Sequence, residues 1–145
     1  TVAVDCSSRK SRADGTPAFH QPLRRYVYEV AHVPYSPFND LQPMSGTVTA
    51  KDGVFSVALP AKSITFLTTD YQNRVPPPVS DVRVEGGRVQ WTATGDPLHR
   101  YYRVYKDGKQ IASTVATSLP VPDAKSVDAP RFSVKSVDKW NNVRK

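Results

Sequence analysis

The sequence predicts an all-β protein that consists of two small antiparallel β-sandwich modules. Apolar and polar residues alternate over many short runs, as they do in strands that bury one face. In residues 79–145, turn residues separate these runs at intervals of about 8 to 12 positions, which is typical of small sandwiches. No window has the periodicity of about 3.6 residues that marks an amphipathic helix, so we expect very little helix.

A run of prolines separates the two modules. Pro76, Pro77 and Pro78 cannot donate backbone hydrogen bonds and have a fixed φ, so they favour a stiff, extended segment. We therefore predict a β-sandwich module over residues 1–73, a proline spacer over 74–78 and a second module over 79–145.

The first module contains at most five strand-like stretches. They comprise Val2 to Val4 and residues 26–33, 46–50, 54–59 and 63–68. Residues 46–50 and 54–59 are expected to form a hairpin through Lys51, Asp52 and Gly53, whereas 7–15 and 34–43 are expected to be loops.

The first module is expected to be incomplete by itself, because the hydrolase sandwich that residues 46–68 resemble, as described below, has more strands, and some of them come from chain that precedes the barrel. Its apolar strand residues should then be only partly covered: Val27, Val33, Phe55, Val57, Leu59, Ile64 and Phe66. An uncovered sheet invites pairing with another chain. A partner polypeptide or a dimer is expected to complete it, and packing against the second module is the alternative.

The second module shows alternation throughout its length. Its predicted strands centre on Val82 and Val84, on Val89 and Trp91, on Tyr102 and Val104, on Ile111, on residues 115–119, and on Phe132, Val134 and Ser136. Gly86 and Gly87 form a two-residue hairpin turn, and residues 106–109 form the next turn.

This second pattern resembles a fibronectin type III domain, which has an immunoglobulin-like sandwich fold. Trp91 matches the core tryptophan of the second strand, and Tyr102 to Gly108 match the third strand and its turn. Phe132, Val134, Ser136 and Asp138 match the sixth strand, except that the family has tyrosine where this chain has Phe132. The hydroxyl that forms the tyrosine corner is therefore missing.

A second resemblance covers residues 46–68. The stretch Asp-Gly-Val-Phe-Ser-Val-Ala-Leu-Pro-Ala-Lys-Ser, residues 52–63, is similar to the closing strands of the β-sandwich attached to the catalytic barrel of bacterial glycoside hydrolases. The families concerned, such as 30, 39 and 51, are retaining enzymes with a (β/α)₈ barrel. The resemblance implies that the partner of this chain is such a barrel, as a domain or as a second chain of the same enzyme.

No set of residues indicates catalysis, a metal or a cofactor within the chain. Retaining glycosidases need two carboxyl groups about 5 to 5.5 Å apart, and the only two glutamates, Glu29 and Glu85, lie in different predicted modules. Most aspartates, such as Asp40, Asp52 and Asp107, occupy predicted turns. The histidines, His20, His32 and His99, lack the spacing of metal ligands, and the single Cys6 excludes an intramolecular disulfide.

Four side chains are candidates for contact with carbohydrate: Tyr101, Arg103, Tyr105 and Trp140. If Tyr102 and Val104 face the core, the first three share the opposite face of the strand, where aromatic rings could stack on sugars. The alternative is that they only cover the sheet, and that Trp140 closes one end of the sandwich.

The net charge of +7 does not indicate a nucleic-acid partner, because the basic residues are scattered and the densest cluster is 9–12. No apolar run approaches the length of about 20 residues that spans a bilayer. Thr1 indicates a processing site or an artificial boundary.

We therefore expect a non-catalytic C-terminal accessory region of a bacterial glycoside hydrolase that acts on polysaccharide. Its expected location is secreted, periplasmic or at the cell surface. A cell-surface adhesion or protein-interaction module is the alternative, and a carbohydrate-binding module is the second alternative.

Overall fold

The computed structural model describes residues 2–5, 22–51 and 54–144 of the chain, the first of these segments by its backbone alone. The chain divides into two compact units. Unit 1 extends to Ser36 and resumes over Leu41–Tyr71, and unit 2 comprises Pro37–Asp40 and the chain from Gln72 onward. Strands make up 47% and helical residues 7% of the described residues, so the prediction of an all-β protein is confirmed.

Unit 1 contains two small antiparallel sheets among its described residues. Its strands are β1 (Val2–Asp5), β2 (Leu23–Glu29), β3 (Gly46–Val48), β4 (Val54–Val57) and β5 (Ser63–Thr68). Strand β1 pairs with β4, and β2 lies between β3 and β5. The buried apolar side chains among the described residues of this unit are Leu23, Val27, Phe55 and Val57.

The predicted hairpin through Lys51 is wrong. Lys51 and Val54 form only an isolated bridge, with both backbone N–H···O distances at 2.9 Å. Beyond it the two strands join different sheets, β3 with β2 and β4 with β1. In this pairing Phe55 and Val57 of β4 are buried. A two-stranded hairpin of β3 and β4 would leave one face of both strands exposed. Asp52 and Gly53 themselves lie outside the described residues.

The strand predicted over residues 26–33 is shifted. It begins at Leu23 and ends at Glu29, after which Val30–His32 form a 3₁₀ turn. The Val30 N–H still donates to the Lys62 carbonyl at 3.2 Å, but the Val30 side chain already points into solvent. The β-branched residues of this segment predict a strand as far as Val33, but β2 ends four residues earlier, at Glu29.

The described residues of unit 2 form six strands in two three-stranded antiparallel sheets. The strands are β6 (Ser80–Glu85), β7 (Arg88–Thr92), β8 (His99–Lys106), β9 (Lys109–Thr114), β10 (Ser118–Pro120) and β11 (Phe132–Asp138), and a 3₁₀ helix occupies Ser126–Arg131. One sheet has the order β10-β7-β6 and the other β11-β8-β9. Both contribute to one core, which contains Val84, Val89, Trp91, Tyr102, Val104, Phe132 and Val134.

Most local predictions for unit 2 are confirmed. Gly86 and Gly87 connect β6 to β7 with φ of 55° and 70°, the left-handed conformation that a two-residue hairpin turn requires. The apolar stretch 115–119 is not one strand, however. Val115 is 78% exposed, and β10 begins only at Ser118, where it pairs with β7.

The proline run belongs to unit 2 and is not a separate spacer. Pro76 is fully buried, and its carbonyl accepts a hydrogen bond from Arg144 at 3.4 Å. The Pro77 carbonyl accepts a hydrogen bond from the Ser136 hydroxyl at 2.5 Å. Residues that lack N–H groups can still be held by their carbonyls, so stiffness alone does not make a proline run a spacer.

Candidate functional site

One side of the β2–β5 ladder in unit 1 presents large apolar side chains to solvent. Tyr26 lies opposite Phe66 and Tyr28 opposite Ile64 in the register of the two strands. Val30 and Val33 extend this surface at the end of β2. We call these six residues, Tyr26, Tyr28, Val30, Val33, Ile64 and Phe66, the apolar face.

The apolar face is exposed to solvent, whereas the solvent-facing side of an ordinary sheet is polar. Ile64 is 62% exposed and Phe66 57%, although they alternate regularly with the less exposed Ser63, Thr65 and Leu67 on β5. The Tyr28 and Phe66 rings meet edge to face at a centroid distance of 5.7 Å. Tyr28, Val30, Val33 and Ile64 also line a shallow depression of about 490 Å³.

The expectation that seven apolar residues of this unit are only partly covered is half right. Val33, Leu59, Ile64 and Phe66 are exposed, whereas Val27, Phe55 and Val57 are buried. Among its described residues, the unit therefore buries a few apolar side chains and leaves those on one face of the β2–β5 ladder exposed.

A second candidate site is a cleft of about 580 Å³ on the other side of β2. Its polar lining comprises Arg25, Glu29, His32, Tyr35, Gln42 and Ser45. We call it the polar cleft. The segment around Ser45, which lines the cleft, is hydrogen-bonded to β2. The Ser45 N–H donates to the Arg25 carbonyl at 2.7 Å, and the Val27 N–H donates to the Ser45 hydroxyl at 3.0 Å.

The four predicted carbohydrate contacts do not form an open platform. Tyr101 is only 8% exposed and Trp140 9%, so neither ring offers a free face to a sugar. Tyr102 and Val104 face the core as predicted, and Tyr101 and Arg103 lie on the opposite side of β8. Tyr105 is half-buried beneath the Lys135 ammonium, which lies 5.3 Å from the ring centroid.

Arg103 forms an ion pair with Asp40, a residue that the sequence analysis placed in a turn. The Asp40 carboxylate lies 3.5 Å from Arg103 Nε, and it also accepts hydrogen bonds from the Gln110 amide at 2.9 Å and from the Ser113 hydroxyl. Burial alone would lower the pKa of Arg103, but its hydrogen bond to Tyr101 and the charge of Asp40 raise it. The guanidinium is therefore a permanent cation with a partner within unit 2.

Unit 2 also contains a buried ionic cluster, which we define as Arg74, Asp96 and Asp138. The Arg74 guanidinium bonds both carboxylate oxygens of Asp96, at 3.3 and 2.5 Å, and its Nε lies 3.7 Å from Asp138. Burial raises the pKa of Asp96, but the bonds from Arg74 and from the Leu98 N–H outweigh it and the net shift is downward. The Arg74 guanidinium faces both carboxylates, so we interpret the cluster as structural.

His99 lies beside this cluster with its ring on Tyr102, at a centroid distance of 4.1 Å. Among the described residues neither ring nitrogen has a hydrogen-bond partner. Burial lowers the pKa of His99 and the charge of Arg100 lowers it too, while Asp96 opposes them. The folded unit therefore favours the neutral imidazole.

We expect His99 to make unit 2 less stable as the pH falls below about 6.5. The unfolded chain takes up the proton near the ordinary histidine pKa, whereas the folded chain takes it up only at lower pH. His99→Phe keeps the stacking and removes the proton site, so the loss of stability between about pH 7.5 and 5.5 should become smaller. The measurement is urea unfolding followed by tryptophan fluorescence, which reports unit 2 because Trp91 and Trp140 are the only tryptophans.

His32→Phe is the matched control, because His32 lies in unit 1 with a 71% exposed side chain. It should leave the pH dependence of unit 2 unchanged. Equal pH dependence in the wild type and in His99→Phe would contradict the assignment to His99.

The comparisons with known proteins add no relative. A scan against family models and searches of curated proteins and solved structures found no match. Within the described residues, no helix is long and apolar enough to cross a membrane, and no group of His, Cys, Asp and Glu could hold a metal ion.

Proposed function

We propose that this chain is the non-catalytic C-terminal accessory region of a secreted bacterial glycoside hydrolase that acts on polysaccharide. In this proposal unit 1 docks onto the (β/α)₈ catalytic domain of the enzyme through the apolar face. Unit 2 is a fibronectin type III domain that serves as a scaffold. The catalytic carboxylates lie on sequence outside this chain.

The apolar face is the observation that carries the proposal. Contiguous exposed apolar surface on a soluble protein marks an interaction site, and here it covers paired positions of two neighbouring strands. Leu23 and Val27 are buried on one side of β2, whereas Ile64 and Phe66 of the neighbouring strand are exposed. In an isolated module this exposure would not be offset by any burial of apolar surface. A sheet that packs against its own unit with one face and against an adjoining domain with the other accounts for the buried side and for the exposed apolar face.

The architecture of unit 2 supports its part of the proposal. Two antiparallel sheets packed over one core, with Trp91 inside it, are the arrangement that fibronectin type III domains share with immunoglobulin domains. Asp138, which matches the end of the family's sixth strand, is fully buried.

The placement of the two glutamates supports a non-catalytic role. Glu29 ends β2 in unit 1, and Glu85 ends β6 in unit 2 beside the Gly86 turn. The Glu29 carboxylate lies 3.6 Å from His32 Nδ1, and Glu85 lies 3.9 Å from Arg83 Nε. Each carboxylate thus has a basic neighbour, whereas a retaining mechanism needs a second carboxyl group about 5 Å away.

The test uses the complete reading frame from which this chain derives, which we expect to encode a barrel with paired catalytic carboxylates. In that enzyme Ile64→Lys should lower the free energy of unfolding by about 2 kcal/mol, because it places a charge in an apolar interface. In the isolated chain the same change should stay within about 0.5 kcal/mol, because Ile64 is already exposed. Thermal unfolding of both forms measures the difference.

Val127→Lys is the matched control, because Val127 is an 81% exposed apolar residue of unit 2. It should be neutral in both forms. A reading frame without a barrel, or equal effects of the two substitutions in the complete enzyme, would overturn the proposal. So would hydrolysis of aryl glycosides by the isolated chain that Glu29→Gln or Glu85→Gln abolishes.

A further inference from the structure

The polar cleft of unit 1 has the size and lining of a ligand site. Its volume of about 580 Å³ falls within the range of roughly 300 to 1,000 Å³ that small-molecule sites occupy. Val27 is buried at its base, and Pro34 and Pro60 add apolar surface. The cleft therefore combines an apolar base with polar side chains around it.

The polar groups of the cleft suit hydroxyl groups. The Glu29 carboxylate can only accept hydrogen bonds and the Arg25 guanidinium can only donate them, while the Gln42 amide and the Tyr35 hydroxyl can do both. A sugar hydroxyl donates and accepts at one atom, so it can bridge such groups. The Glu29 side chain is 38% exposed, so its carboxylate is accessible from the cleft.

The charges of the cleft favour a neutral ligand. Arg25 contributes one positive charge and Glu29 one negative charge, and Gln42 and Ser45 carry no charge. A phosphate or an acidic sugar would meet the Glu29 carboxylate as well as the guanidinium, and like charges that lie close together repel. A purely apolar ligand would form no hydrogen bonds with these polar groups.

Tyr35 supplies the remaining requirement for sugar recognition. Its side chain is 48% exposed at the edge of the cleft. An aromatic ring is an amphipathic surface, with an apolar face for the C–H side of a pyranose and a hydroxyl for its polar edge. The adjacent Pro34 lines the same wall.

We infer that the polar cleft binds a neutral oligosaccharide, with Tyr35 as the stacking platform and with Arg25, Glu29 and Gln42 as hydrogen-bonding groups. This site lies in unit 1, whereas the four residues that the sequence indicated belong to unit 2. It is distinct from the apolar face, so the proposed docking does not depend on it.

The test is titration of the full chain with cellohexaose, xylohexaose and mannohexaose, followed by amide chemical shifts in nuclear magnetic resonance spectra. At least one neutral hexasaccharide should shift the amides of residues 25–35 and 42–45 at millimolar concentration, and tetragalacturonate should bind more weakly. Tyr35→Ala should weaken binding about tenfold, and Glu29→Ala should weaken it about tenfold or more because a charged hydrogen bond is lost.

Tyr105→Ala is the control, because Tyr105 is a half-buried tyrosine of unit 2 and a rival candidate for sugar stacking. It should leave binding unchanged. No binding of any neutral hexasaccharide, tighter binding of tetragalacturonate, or loss of binding only in Tyr105→Ala would each overturn the inference. A preserved amide spectrum shows that the Tyr35 and Glu29 variants are folded, and none of these results changes the outcome of the Ile64→Lys test.

Discussion

Replacement of Trp91 by alanine should lower the free energy of unfolding of unit 2 by about 3 to 5 kcal/mol, as for other large aromatic residues removed from cores. Trp91 is 4% exposed on the central strand of its sheet, and its ring meets Tyr102 of the opposite sheet edge to face at 5.3 Å. Alanine would leave a cavity between the two sheets, and neighbours such as Val89 and Val104 are fully buried and closely packed. Urea unfolding measures the loss, with Trp140 as the remaining fluorophore.

Two further substitutions, one with a smaller expected loss of stability and one with almost none, give the scale for the loss in Trp91→Ala. Trp91→Phe should cost less than alanine, because the phenyl ring fills part of the cavity and retains an aromatic contact with Tyr102. Val115→Ala should stay within about 0.5 kcal/mol, because Val115 is exposed in a turn. A Trp91→Ala protein with the wild-type urea midpoint would contradict the two-sheet core.

The elements of unit 2 could be predicted because the information for them is local. Alternating residues on β6, β7, β8 and β11 identify one buried face, and a register slip by one residue would turn it outward. Gly86 and Gly87 fix a hairpin because both adopt positive φ. These are relations between residues close together in the chain, which a single sequence displays.

The sheets of unit 1 could not be predicted from such relations. Lys51, Asp52 and Gly53 have the composition of a hairpin turn, but turn composition does not determine which strands continue to pair beyond it. Strand β3 pairs with β2, about 20 residues earlier, and β4 pairs with β1 near the start of the described chain. Such pairing depends on which arrangement buries Phe55 and Val57, and alternation alone leaves that choice open.

The candidate sites show the same division between local and distant information. Strand periodicity correctly placed Tyr102 in the core and Arg103 on the opposite side of β8. It could not show that Asp40, 70 positions before Gln110, lies against that side, forms an ion pair with Arg103 and accepts a hydrogen bond from Gln110. The polar cleft had no sequence signal either, because Arg25 and Gln42 meet there only through the fold of the intervening loop.

Removal of the Asp138 carboxylate should destabilise unit 2 by about 3 to 5 kcal/mol in Asp138→Ala, the range for breaking a buried ionic pair from one side. Asp138 is fully buried at the end of β11, and its Oδ1 accepts hydrogen bonds from the backbone N–H groups of Trp140 and Asn142 at 3.0 and 2.9 Å. Its Oδ2 accepts a bond from the Asn142 amide at 2.9 Å and faces the Arg74 guanidinium. Alanine would remove this acceptor from the Trp140 and Asn142 N–H groups, while the Asn142 amide keeps its bond to the Gln72 carbonyl and Arg74 keeps its bonds to Asp96.

Asp138→Asn separates the charge from the geometry. The asparagine oxygen can still accept the bonds from the Trp140 and Asn142 N–H groups, but its amide nitrogen would face two donors, the Asn142 amide and Arg74. The loss of stability should therefore lie between those of the wild type and of alanine, and it remains measurable if the alanine variant does not fold. Urea unfolding monitored by Trp91 and Trp140 gives all three values. Equal losses for asparagine and alanine would mean that the hydrogen bonds to the 138–142 turn contribute little beside the charge, and no loss in either would show that the turn is held by other contacts.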